Sequence, residues 1–123
     1  MEASEKLEYV KRYINGVSAH DIEAIKAIFD DNATVEDPAG TDPHVGKDAI
    51  CKFYEQAFSV GVKLELTGPV RSAGNAAAFP LVCTVTLGDS KLKIDAIEIF
   101  EFNQNGKVQT MRAYWGPENC SSE

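Results

Sequence analysis

Residues 76–102, AAAFPLVCTVTLGDSKLKIDAIEIFEF, decide the fold. Two alternating runs flank Gly88-Asp89, a pair of residues that reverses a chain. Strand side chains point to opposite faces in turn. Phe79, Leu81, Cys83, Val85 and Leu87 therefore share one side of the first run. Leu92, Ile94, Ala96, Glu98, Phe100 and Phe102 share one side of the second. Upstream, Val62, Leu64 and Leu66 oppose Lys63, Glu65 and Thr67, and Gly74-Asn75 marks a turn. Downstream, Asn105-Gly106 is a strong hairpin signal, and Met111, Ala113 and Trp115 share a side of the last strand. The second half of the chain thus reads as an antiparallel meander.

The first half is helical in its period. Over residues 4–17, Leu7, Val10, Tyr13 (or Ile14) and Val17 recur at three- and four-residue steps. Asp21 is a good N-cap for a second helix. That helix carries Ile22, Ile25, Ile28 and Phe29 on its apolar side and ends at Asp30, Asp31 and Asn32. Gly46 precedes a third helix with Ile50, Phe53, Tyr54, Ala57 and Phe58 on one stripe, and Gly61 closes it. Between helices two and three, residues 33–38 (ATVEDP) read as a short strand with Ala33, Val35 and Asp37 on one side. Pro38 biases Asp37 toward an extended backbone and ends the pairing. Helices followed by a meander make an α+β domain, with the helices covering one face of a curved sheet.

The chain has 123 residues, enough for one domain spanning 1–123 with a core that needs no metal or disulfide. Its 12 basic and 19 acidic residues give a net charge of −7. Phosphate-backbone binding and docking on anionic lipid both need a basic face, so neither nucleic acid nor membrane is expected as a partner. The N-terminus, MEASEKLEY, lacks the apolar stretch of a secretory signal. Cys51, Cys83 and Cys120 are odd in number and match no zinc spacing. Reduced thiols in a cytoplasmic protein are expected.

The informative residues are polar groups that the pattern forces inward. Asp37 lies on the Ala33/Val35 face. Glu98 lies between Ala96 and Phe100, on the most apolar face of the chain. An ionised carboxylate there is costly, and the usual escape is a raised pKa. A carboxylic acid held neutral can donate a hydrogen bond, while a second carboxylate that stays ionised can accept a proton. Two such groups in one apolar pocket form an acid/base pair that needs no metal or cofactor. Tyr13, on an apolar helix face, is a further donor, and Tyr54 is a second buried phenol. Plainer readings stand beside these. Asp37 before a proline can be a turn cap. Glu98 can belong to an exposed edge strand or pair with Lys91, Lys93 or Arg112. The tyrosines can simply pack. His20 and His44 fall at element boundaries, as caps or surface residues.

These residues also carry a resemblance. KRY ending at Tyr13, DIEAI at 21–25, DDNATVEDPAG at 30–40, FYEQ at 53–56, LTGPVR at 66–71 and GKVQTMRAYW ending at Trp115 closely resemble the bacterial Δ5-3-ketosteroid isomerases. Those enzymes belong to the nuclear-transport-factor-2-like superfamily, and the resemblance runs nearly end to end. It implies a conical α+β barrel in which three helices pack on a strongly curved mixed, mostly antiparallel sheet. It also implies a sheet-packed homodimer, no cofactor, no metal, and a hydrophobic steroid-like substrate. In the family pattern Asp37 matches the general base, Tyr13 the oxyanion tyrosine and Glu98 the protonated second donor, an aspartic acid in the family. The neutral-acid logic at Glu98 is carried over from these isomerases. Tyr54 matches the tyrosine that supports Tyr13. Phe53, Met111 and Trp115 match pocket-wall positions. Glu98 adds one methylene to the family's acid, and Phe29 stands where some members carry a further network tyrosine. A simpler network around Tyr13 follows, with Tyr54 its main support.

The reading that follows is cofactor-free isomerisation of 3-oxo-Δ5-steroids to their Δ4 isomers through a dienolate. Two others compete with it. One is another enzyme of the same superfamily acting on a small hydrophobic substrate, with a polyketide cyclase using Asp37 as its base the hardest to dismiss. A dehydratase would want pocket histidines, and His20 and His44 do not sit on inward strand faces in this pattern. An epoxide hydrolase would want an Asp-Arg-Asp constellation, whereas Arg112 alternates with Met111 and Ala113 and so faces away. The other competing reading is a non-catalytic dimer that binds a hydrophobic ligand.

Overall fold

Three helices lie across a strongly bent sheet, and the reason starts at the first of them. The computed structural model describes residues 1–122. Helix α1 spans Ala3–Ser18 and buries Val10, Tyr13, Ile14 and Val17 on one stripe. His20 follows it at φ 56°, where the Asp21 amide bonds the Gly16 carbonyl and the His20 amide bonds that of Val17. This left-handed cap turns the chain directly into α2, Ile22–Ile28, whose first turn the Asp21 carboxylate caps through the Ala24 amide.

Helix α2 stops earlier than its sequence pattern predicts. The chain passes at Phe29 straight into β1, Phe29–Glu36. Asp30, Asp31 and Asn32 lie inside that strand rather than terminating the helix. Phe29 suits an apolar helix face and a buried strand start equally well. The choice is made by β7, Val108–Tyr114, which pairs with β1 in parallel. Strand β2, His44–Val45, pairs antiparallel on the other side of β1, and α3 follows over Lys47–Ser59.

The meander then runs β3 (Lys63–Leu66), β4 (Arg71–Ala73), β5 (Ala76–Leu87) and β6 (Ser90–Phe102), and ends in β7. A single 3₁₀ turn at Pro117–Asn119 leads to β8, Cys120–Ser122. The order across the sheet is β2-β1-β7-β6-β5-β3, with β4 also on β5 and β8 also on β6. Strands β2, β4 and β8 are too short to carry a readable period, and the sequence pattern misses them.

Each of the two long strands exchanges partners midway. Strand β5 pairs with β4 through Ala78 and with β3 from Leu81 onward. Strand β6 pairs with β8 near Ile94 and with β7 from Ile97 onward. At these changes the sheet curls around the helices, and the result is a conical α+β barrel with a mixed, mostly antiparallel sheet.

The core lies in the concavity. Tyr13, Phe29, Phe79, Phe100, Ile25, Ile28, Leu81 and Met111 are essentially inaccessible to solvent. Each such side chain contributes roughly 1.5–3 kcal/mol. Phe100 makes edge contacts with Tyr13, Phe29, Phe79 and Phe102. The outer face is polar along Arg112, Glu36 and Glu101 but leaves the cross-strand pair Ile97 and Tyr114 half exposed. The three cysteines are free thiols, and no helix is long and apolar enough to cross a membrane.

Candidate active site

The concave side of the sheet does not close completely on the helices. A cavity with about 690 Å³ of empty space, open mouth included, remains between α1, α3 and strands β3, β5 and β6. Its wall is largely apolar: Val17, Ala57, Val62, Leu64, Val85, Ile94 and Ala96. Five polar side chains also line it, Tyr13, Asp37, Tyr54, Cys83 and Glu98, together with Phe53 and Trp115.

Each polar group arrives by a separate rule. The period of α1 turns Tyr13 inward beside Val10 and Val17, and the period of α3 does the same for Tyr54. Their hydroxyls meet at 3.0 Å, and burial pushes both phenols well above their ordinary pKa. Phe29 stands 6.0 Å from the Tyr54 ring, centroid to centroid, and contributes no hydroxyl. The network is therefore a two-tyrosine one, as the sequence predicts.

Glu98 follows the alternation of β6. Phe79 lies opposite it on β5 and Ala113 on β7, with Ala96 and Phe100 two residues away along its own strand. It is 4% exposed, and among the described residues its Oε1 has no hydrogen-bond partner. Burial first, and then the nearby Asp37 charge, push its pKa up to about 8. An interaction with the Tyr13 hydroxyl offsets part of that rise. The alternative of an ion pair with Lys91, Lys93 or Arg112 is overturned. Arg112 lies on the outer face, 3.0 Å from both Glu36 and Glu101.

Asp37 sits just past the end of β1, at a cis bond to Pro38. Its Oδ1 accepts a 2.7 Å hydrogen bond from the Trp115 indole N–H. Burial raises the Asp37 pKa, while the Trp115 hydrogen bond and the charge of His44 draw it back down. The outcome is a half-desolvated carboxylate with one fixed donor, the condition of a usable base. Asp37 and Glu98 thus form a carboxyl pair whose members differ in environment: one is tethered and partly wet, the other dry, with its Oε1 unpartnered among the described residues.

Two sequence expectations need correction. Met111 was expected on the pocket wall. It points to the concave side, but it is fully buried in the core and is not among the residues lining the cavity. Its cross-strand partner Phe100 is equally buried, so that layer of side chains is closed. His44 was expected to cap or to face solvent. It pairs instead with inward-facing Val35 and packs against Phe53, with ring centroids 4.5 Å apart and planes tilted by 34°. The two-residue strand that orients it has no sequence signature. His20, by contrast, does cap α1, and its ring stacks on Phe58 and bonds the Val62 carbonyl at 2.9 Å. The Trp115–Asp37 bond is likewise invisible to periodicity, because it joins residues 78 positions apart. Among the described residues, no group of three or more His, Cys, Asp or Glu side chains is placed to hold a metal ion.

The SnoaL-like domain profile matches residues 10–111, a span that takes in the second half of α1 with Tyr13, the Asp37 strand and Glu98. The chain belongs to the SnoaL-like family. Within and around that family the relatives are enzymes. A steroid Delta-isomerase of Nocardioides simplex is 35% identical over 108 residues, covering 88% of this chain and 87% of its own. The epoxide hydrolase LasB of Streptomyces lasalocidi is 28% identical over 94% of this chain, which spans 41% of LasB. The solved structure of SalBIII, described as an epoxide hydrolase/cyclase-like enzyme in pyran ring formation of salinomycin, matches with a TM-score of 0.92. It is 28% identical, and both chains are covered completely. An enzymatic role is therefore supported for this SnoaL-like chain, together with the conical barrel.

Proposed function

We propose that the chain isomerises 3-oxo-Δ5-steroids to their conjugated Δ4 isomers without a cofactor. The observation that carries this reading is Tyr13, Asp37 and Glu98 lining one apolar cavity, with Glu98 held as a neutral acid. The kinship with a steroid Delta-isomerase supports it. In the proposed reaction the Asp37 carboxylate takes the proton from C4. The electron pair moves onto the carbonyl oxygen as a dienolate. Tyr13 and the Glu98 acid hydrogen-bond that oxygen as charge develops, and Tyr54 holds the Tyr13 hydroxyl. Asp37 then returns the proton at C6 and is again ionised. The Trp115 indole fixes the carboxylate between the two positions. Phe53 and Trp115 exclude water, which strengthens both donors.

The test is ultraviolet absorbance at the enone band after mixing the protein with 5-androstene-3,17-dione. Asp37→Asn is expected to slow conjugation by about 10²–10⁴-fold, the usual worth of a positioned base, while binding of a phenolic steroid persists. Near-full activity in Asp37→Asn sinks the mechanism.

A second reading draws on LasB and SalBIII. A carboxylate paired with a neutral carboxylic acid can also activate a hydroxyl at Asp37 while Glu98 protonates an epoxide oxygen, opening the epoxide by cyclisation or hydrolysis. Arg112 takes no part, since it faces the outer surface. Turnover of a hydroxy-epoxide with no steroid conjugation favours this route. Ligand binding without either turnover leaves the non-catalytic carrier. The homodimer remains part of the proposal, with the half-exposed pair Ile97 and Tyr114 as its sheet contact. A solution mass of 13.4 kDa removes it.

A further inference from the structure

We infer that His44 is a positioning residue for Asp37: its ring, held by strand register and a tilted contact with Phe53 beside the carboxylate, favours the ionised base. The inference rests on Asp37 being the base of the proposed reaction, but its test does not require turnover.

The geometry comes from three contacts. Strand β2 pairs His44 directly opposite Val35, a fully buried residue, so His44 points to the concave side. Asp37 lies two residues beyond Val35 on the same face, which makes His44 its diagonal neighbour across the pair. Such neighbours sit about 7–8 Å apart, within reach of a long side chain. Phe53 then fixes the ring. It packs against His44 with ring centroids 4.5 Å apart and planes tilted by 34°, and itself lines the cavity with Asp37. The imidazole is thus second to the cavity, behind Phe53, and reaches the substrate only through the carboxylate it faces.

The charges around Asp37 leave this role open to His44 alone among the groups that act on it. Glu98 on β6 is a neutral acid below about pH 8, and Tyr13 on α1 and Tyr54 on α3 are neutral phenols. Trp115 donates a hydrogen bond but carries no charge. Arg112 is committed to Glu36 and Glu101 on the far side of the sheet, and Lys47, which follows β2, pairs with Asp31 at 3.1 Å. The charge of His44 opposes the rise that burial imposes on Asp37.

The experiment follows Asp37 itself. Carbon-13 NMR of carboxyl-labelled protein reads its titration, with the resonance assigned by its loss in Asp37→Asn. His44→Phe keeps a ring for Phe53 and removes the charge. His44→Arg keeps the charge and alters the ring. The Asp37 midpoint is expected to rise by roughly half to one pH unit in His44→Phe and to return toward wild type in His44→Arg. The acid limb of kcat/KM should move with it. An unchanged midpoint in His44→Phe overturns the inference, and so does an equal shift in both variants, which would make the ring's packing the cause. If the midpoint shifts while Asp37→Asn retains isomerase activity, the coupling of His44 to the Asp37 carboxylate stands and the assignment of Asp37 as the base falls. If Asp37→Asn is inactive and the midpoint does not move, the reverse holds.

Discussion

In the proposed reaction, Glu98 is the residue on which the chemistry turns. A glutamic acid among Phe79, Ala96, Phe100 and Ala113 has no counter-ion among the described residues, so it remains protonated to about pH 8. As a donor it works only below that pH, whereas Asp37 works only when ionised. The kcat/KM profile should therefore be a bell, with its alkaline limb near pH 8. Tyr13 and Tyr54 add no limb there, because both phenols titrate far above it. Glu98→Gln supplies a donor that does not titrate, and the alkaline limb should vanish. Glu98→Ala should cost on the order of 10²–10³-fold, the worth of one oxyanion donor. A limb that persists unchanged in Glu98→Gln assigns it to another group. At this scale the sequence was informative about direction: the periods of α1, α3 and β6 turn Tyr13, Tyr54 and Glu98 inward. It was silent on contacts between distant positions, which is why the Trp115 hydrogen bond and the contact of His44 with Phe53 emerge only in three dimensions.

At the scale of elements, α1 and α2 pack closely at Gly16. A Cβ added at Gly16 would meet the Ala24 Cβ at 3.1 Å, tighter than ordinary packing allows. Gly16→Val should pry the two helices apart and cost about 1–3 kcal/mol. Because Tyr13 lies one turn before Gly16, its hydroxyl should also drift from Tyr54. Urea unfolding should show a lower midpoint at an unchanged slope, and activity should fall more than steroid binding. Full stability in Gly16→Val would mean that α2 yields without cost. Helices α1 and α3 and the long hairpin β5–β6 were readable because each repeats its period several times. The end of α2 was not, since Phe29 satisfies helix and strand alike and the deciding partner, β7, is some 80 residues away. Strands β2, β4 and β8 have no period long enough to detect.

For the molecule as a whole, the buried acid makes stability depend on pH. The folded-state pKa of Glu98 is raised to about 8 from an ordinary 4.5. Between those values the native state holds a proton that the unfolded chain releases. The contribution of Glu98 to stability is therefore full below pH 4.5 and is lost as pH rises toward 8. Asp37, also raised, acts with the same sign in the acid range. Glu36 and Glu101, lowered by hydrogen bonds from Gly40, Thr110 and Arg112, act oppositely, but both are well solvated and count for little. Relative to Glu98→Gln, the wild type should lose on the order of a few kcal/mol between pH 5 and 8 by urea unfolding. A constant difference between the two across that range would show that Glu98 is not held neutral. By itself the sequence determined the α+β class, the turn at Gly88-Asp89 and the faces on which the carboxyls and phenols lie, because these follow from turn chemistry and local periods of 3.6 and 2. The tertiary structure alone decided that β1 runs parallel to β7, that Met111 lies in a closed layer of the core and that His44 turns inward. It also brought Trp115 to Asp37. Each of these depends on contacts between segments far apart in the chain, and no local pattern encodes which segments will meet.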